Sequence, residues 1–169
     1  MNPITAWILE NIQIDLGNLV VGIATIFIAM VTLRTTMANI RMEANHRIAS
    51  FRVNWIENLR TEVSKFIGAA HILKKKASQG IKNEIDDLHT DIMRIESYIV
   101  LMLNPNEAEH RILKDELEQT RSSLALFSQS ADAGLGRQID QDLKTISDTT
   151  SRILKSEWDR ASAEIKKKS

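Results

Sequence analysis

Between Asp15 and Arg34 the chain runs from Leu16 to Leu33 without a single charge, and Leu, Val, Ile, Ala, Phe and Met dominate. That is about 18 residues, the lower part of the range needed to cross a hydrocarbon core of roughly 30 Å as a helix. A buried core helix of this length would ordinarily keep a polar face, and this run has no charged one. A cleaved signal peptide would begin with positive charge and end in a small-residue cleavage site. Here Glu10 and Asp15 precede the run, and Arg34, Thr35, Thr36 and Met37 follow it. The expectation is a transmembrane helix over 16–33. Arg34, Arg41, Arg47 and Arg52 follow it closely and no arginine precedes it. The positive-inside rule then puts the N-terminus outside a bacterial inner membrane and residues 34–169 in the cytosol.

Residues 1–15 carry Ile4, Trp7, Ile8 and Ile12 at helical spacing. This suits a short interfacial helix on the outer face, with the tryptophan at headgroup level. A frayed extension of the span is the alternative.

The remainder reads as helices. Its 169-residue parent chain has two prolines, six glycines and no cysteine. Strand-rich folds need more turn residues, and disulfides and thiolate metal sites are excluded. A net charge of zero argues against a bulk nucleic-acid binder, and 5% aromatics leaves little for stacking bases. From Thr35 to Ser78 apolar residues recur at Ile48, Phe51, Trp55, Leu59, Val63, Phe66, Ala70 and Leu73, in steps of three and four. The transmembrane helix is therefore expected to continue as one long helix to a stop at Ser78-Gln79-Gly80.

A second seam, Ile81, Ile85, Leu88, Ile92, Ile95, Ile99 and Met102, keeps a four-three alternation and ends at Asn104-Pro105. Asn106 and Glu109 suggest a capping box for a third helix, with its seam at Leu113, Leu117, Thr120, Leu124 and Phe127. A loop over 131–136 precedes the last helix, with Ile139, Leu143, Ile146, Thr150, Ile153, Trp158, Ala161 and Ile165. Short connections make such helices antiparallel neighbours. The expected fold is all-α: one N-terminal transmembrane helix continuing into an up-and-down four-helix bundle. The polar stretch from Thr35 to about Ile48 would have no partner helix in its own chain, and a lone polar helix is marginal in water. Other copies of the protein could supply its neighbours.

Within the span, Asn18, Gly22, Thr25, Ala29, Thr32 and Thr36 recur at steps of four and three. At 100° per residue they fall on one face of the helix. Small residues permit close approach, and Asn or Thr can bond across helices. Three readings are open: a tight dimer seam, the lumen of a larger ring, or chance. The same phase continues as Asn39, Glu43, His46 and Ser50, which favours a water-facing lumen.

Chemical motifs are few. There is no nucleophile elbow, phosphate loop or zinc spacing. Glu107-x-x-His110 matches a fragment of the di-iron helix motif, with Asp86-x-x-His89 as an imperfect second copy. Glu107 is better explained as first-turn charge at a helix N-terminus. No metal, cofactor or enzymatic activity is expected. Arg41 and His46 have the Arg-x4-His form that marks RNA-cleaving residues in the HEPN nuclease superfamily, where histidine moves protons and arginine holds phosphate. Along one helix their side chains stand about 140° apart, which makes a shared target hard to reach. A membrane-tethered ribonuclease is thus a weaker alternative. Lys74-Lys75-Lys76 and Lys166-Lys167-Lys168 are short basic runs, read as solvated helix ends; the second could meet anionic lipid.

The run Phe51-Arg52-Val53-Asn54-Trp55-Ile56-Glu57-Asn58-Leu59-Arg60 resembles one in small single-pass bacterial membrane proteins of phage-defence loci. The layout is similar to the membrane accessory protein of type VI-B CRISPR systems, which has an N-terminal span, a cytosolic helical domain and an Arg-x4-6-His motif, matched here by Arg41 and His46. The resemblance implies a ring-shaped oligomer forming a membrane pore that strengthens antiphage defence. On that reading the partners are further copies of the chain, the bilayer and a cytosolic defence protein, without direct nucleic-acid contact. A non-conducting scaffold recruiting a cytosolic partner is the rival from another class.

Overall fold

The computed structural model describes residues 2–3 and 16–166, without the side chains of Leu16, Arg41, Asn45, His46, Ile165 and Lys166. The expected interfacial helix and the second lysine run lie outside the described residues. Among the described residues four helices follow one another: α1 (Leu16–Ser78), α2 (Ile85–Met102), α3 (Ala108–Ser130) and α4 (Ala133–Lys166). The fold is all-α, as the periodicity predicts. The chain divides into two units, residues 1–46 and residues 47–169.

The described part of the first unit is the N-terminal half of α1. It contains an 18-residue window of mean hydropathy 1.9, none of it buried, so α1 is long and apolar enough to cross a membrane. Leu19, Val20, Ile23, Ile26, Phe27 and Met30 are all exposed. An apolar surface this continuous is far larger than soluble monomers ordinarily show.

The second unit is a four-helix bundle. Leu59, Phe66 and Leu73 of α1, Ile92 and Ile99 of α2, Leu113, Leu117 and Leu124 of α3, and Ile139, Ile146 and Ile153 of α4 make one core. Each set sits at helical spacing on one face, so burial rather than propensity holds these helices together. The cross-contacts fix the topology. Trp55 and Arg52, early in the bundle part of α1, meet Met102 at the end of α2 and Glu157 near the end of α4. Lys74, late in α1, pairs with Asp140 near the start of α4. The helices therefore run up, down, up and down.

Three corners make the reversals. α1 ends in a Schellman motif: Ile81 N–H donates to Lys76 C=O at 3.0 Å and Gly80 N–H to Ala77 C=O at 3.1 Å, with Gly80 at φ 70°. The α3–α4 corner is tighter than the expected 131–136 loop. Ala131 turns into the left-handed region at φ 48° and donates its N–H to Phe127 C=O at 2.8 Å. Asp132 then caps α4, its Oδ1 accepting the Leu135 N–H at 2.8 Å, so Gly136 is already helical. The gap from Gly136 to the Phe127 ring is too small for an added methyl without adjustment, because a Cβ there would sit 3.1 Å from the ring.

Several sequence expectations need correction. The capping box of Asn106 and Glu109 does not form. Glu107 is the N-cap of α3 and makes no side-chain cap bond, and the side chain of Asn104 organises the corner instead, accepting the Asn106 N–H at 3.1 Å. Ile81 precedes α2 and is exposed, because the Schellman turn ends the first seam before the second helix starts. Ile48 and Phe51 extend the α1 seam in sequence but lie exposed, at 47% and 72%; the buried row is Ala49, Ile56, Leu59 and onward. In α4 the buried position is Glu157, and Trp158 is 54% exposed.

Candidate functional site

The end of the bundle where residues 48–55, 102–110 and 157–160 meet carries a cleft of about 560 Å³. Volumes of this size suit a small ligand or one or two anchoring side chains. Ile48 and Phe51 flank it on α1, and Trp55 and His110 form an aromatic wall. The two rings stack, with centroids 5.7 Å apart and planes 12° from parallel.

The wall is tied to the α2–α3 corner. The Trp55 indole donates to the Met102 C=O at 3.0 Å. His110 Nδ1 accepts the backbone N–H of Asn104 at 2.9 Å. An Nδ1 that accepts must carry a lone pair, which assigns the neutral ring its proton at Nε2. Asn104 Nδ2 also donates to Glu107 Oε1 at 3.2 Å. Helix termini leave backbone groups without helical partners, and here side chains from α1 and α3 take them up.

The polar side of the cleft is a chain of alternating charge. Arg52 donates from Nη1 to Glu157 Oε2 at 2.6 Å, and its Nη2 lies 3.3 Å from Glu164 Oε1. Glu157 also accepts from Arg160, which in turn grips both oxygens of Glu107 at 3.1 and 3.2 Å. The bond from Arg160 holds the Glu107 carboxyl below the usual glutamate range. The same bond pushes the Arg160 guanidinium above its ordinary value. The network is not fully satisfied: Arg52 Nε and Glu164 Oε2 are buried without a hydrogen-bond partner. The arrangement joins α1, the α2–α3 corner and α4, and it can orient a docked group, but no member is a poised nucleophile.

A buried acid, Glu96, and a half-buried one, Glu116, lie elsewhere in the bundle. Glu96, in the core phase of α2, pairs with Arg121 at 2.7 Å, and burial pushes its carboxyl up. Glu116 accepts from Thr149 Oγ1 at 3.0 Å, and burial pushes it up as well.

The sequence-predicted residues fall as follows. Asn18, Gly22, Thr25, Ala29, Thr32 and Thr36 are exposed on α1. The Thr25 hydroxyl donates to Val21 C=O of its own helix at 2.8 Å, so it can sit in an apolar medium without a cross-helix partner. Nothing lies within 4 Å of where a Cβ on Gly22 would stand. Arg41 and His46 lie on α1, and their side chains are outside the described residues. Glu107 and His110 come together, but Asp86 and His89 lie at the opposite end of α2, so the two halves of the di-iron pattern do not converge. Among the described residues, no three His, Cys, Asp or Glu side chains cluster to hold a metal.

Sequence reasoning missed the cleft network. Glu157 extends the buried row Ile146, Thr150 and Ile153 of α4, and a charge in a core phase demands a partner. His110 likewise begins the buried row of α3. Both were visible as polar residues at apolar positions. Comparison with protein-family models, curated proteins and solved structures finds no match.

Proposed function

We propose that this chain is a homo-oligomeric, single-pass inner-membrane protein with its N-terminus outside, which permeabilises or depolarises the membrane as an accessory or effector of antiphage defence. The observation that carries the membrane part is the uncharged window of α1, of mean hydropathy 1.9, with no share of it buried by its own chain. Lipid and neighbouring copies are the media in which that surface is stable. The face of Asn18, Gly22, Thr25, Ala29 and Thr32 is the one suited to close packing or to a wet lumen. The bundle serves as the gate or sensor, and the defence role rests on the resemblance at Phe51 to Arg60 and at Arg41 and His46. Purified full-length protein in liposomes tests the pore. Dye or ion release is expected, and Thr25→Leu with Thr32→Leu is expected to reduce it. No conductance under any activating condition removes the reading.

The scaffold reading is favoured by a different observation, the cleft flanked by the exposed Phe51. A large exposed aromatic beside a preformed cleft suits a partner's anchor residue. Under that reading Phe51→Ala abolishes defence while a pore assay registers nothing for either protein.

A further inference from the structure

Three groups hold the corner between α2 and α3, and one of them is a histidine whose ring nitrogen accepts a backbone hydrogen bond. The Trp55 indole grips Met102 C=O, Asn104 Nδ2 grips Glu107, and His110 Nδ1 accepts the Asn104 N–H. Only the neutral Nε2–H tautomer of His110 makes that last bond. A proton arriving at Nδ1 would set N–H against N–H. The opposite nitrogen has somewhere to turn: Nε2 lies 3.8 Å from Glu107 Oε2. That carboxylate is already held by Arg160, which also binds Glu157. A cationic His110 therefore loses its backbone donor and competes with Arg160 for Glu107.

We propose that His110 is a proton-operated latch on the cleft: uptake of a proton from water at Nδ1 expels the Asn104 N–H, frees the α2–α3 corner and uncovers Trp55. The charged group nearest the ring is Glu107, and Glu157 and Arg160 from α4 and Arg52 from α1 line the same cleft. The inference rests on the bundle alone and holds whether or not the chain conducts ions.

The test uses the full chain in lipid nanodiscs with Trp7→Phe and Trp158→Phe, which leaves Trp55 as the fluorophore. Hydrogen exchange of residues 103–107, corrected for the pH dependence of the intrinsic rate, is followed from about pH 8 to 5. The expected result is one transition in which corner exchange rises about tenfold and Trp55 emission moves to longer wavelength. His110→Gln keeps an acceptor but cannot titrate, and is expected to lose the transition. Glu107→Gln removes the carboxylate that favours the cation and is expected to move the midpoint to lower pH. The proposal is overturned if wild type shows no transition over this range, or if the transition persists in His110→Gln. Should His110→Gln fail to fold, Glu107→Gln decides, and a midpoint that stays or rises overturns it.

Discussion

Glu157 on α4 accepts a 2.6 Å hydrogen bond from Arg52 on α1 and holds Arg160 with its other oxygen. One buried carboxylate thus ties the first and last helices of the bundle together at the end that carries the cleft.

Glu157→Ala is expected to destabilise the bundle by about 2 kcal/mol, in the range for hydrogen bonds to charged groups. The loss stays below that of a fully buried ion pair because both arginine side chains keep water contact, at 33% and 47% exposure. A double-mutant cycle with Arg52→Ala in chemical denaturation checks it: the coupling energy should be clearly positive, and strict additivity would remove the tie.

Two residues of one sequence seam should behave oppositely. Leu59 is fully buried and Phe51 is 72% exposed. Leu59→Ala is expected to cost about 2–5 kcal/mol through lost burial and a cavity. Phe51→Ala should stay within about 0.5 kcal/mol of wild type. Thermal melts of the two variants measure the difference.

That contrast shows what was legible in the sequence. The four-three spacing identified every helix of the bundle, because a buried row must recur once per turn. It could not say which side of the row is covered at its start, since Ala49 is buried while Ile48 and Phe51 on either side of it are exposed, although α4 still runs alongside at Arg52. It also favoured Trp158 over Glu157, because apolar character stands in for burial when the charge partner lies on another helix. The cleft depends on Arg52, Glu107, His110, Glu157 and Arg160, which sequence separations of tens of residues hide. The α1 stripe, by contrast, needs one helix only, and its residues Asn18 to Thr36 lie exposed on that helix.

Burial raises the Glu116 carboxyl, with Thr149 and Arg152 pulling it down and Asp142 adding to the rise. A raised folded-state value means that the folded chain favours the protonated acid. This stability is present below the unfolded glutamate range and is lost as pH rises through the folded value. Glu116→Gln mimics the protonated form, and its amide can donate where Glu116 Oε2 and Asp142 Oδ2 now lack partners. The variant is expected to melt higher than wild type at pH 7, with the gain shrinking in acid. An equal gain at all pH values contradicts the charge explanation.

Ala131 holds φ 48°, a conformation that costs a residue with a Cβ about 1–2 kcal/mol. Glycine relieves that strain but loses more freedom on folding. Ala131→Gly is therefore expected to stabilise the α3–α4 corner by about 0.5–1 kcal/mol, read from the denaturation midpoint. A destabilised variant would mean that the Ala131 methyl packs more than it strains.

The most direct test of the membrane account is labelling of single cysteines by a membrane-impermeant maleimide. The chain has no cysteine of its own, so Asn2→Cys, Ile26→Cys and Glu57→Cys can each be read alone. In spheroplasts, Asn2→Cys should be labelled at once, Glu57→Cys only after lysis, and Ile26→Cys not until detergent dissolves the bilayer. Labelling of Ile26→Cys in intact membranes, or of Glu57→Cys before lysis, would contradict an α1 that crosses the membrane with its N-terminus outside.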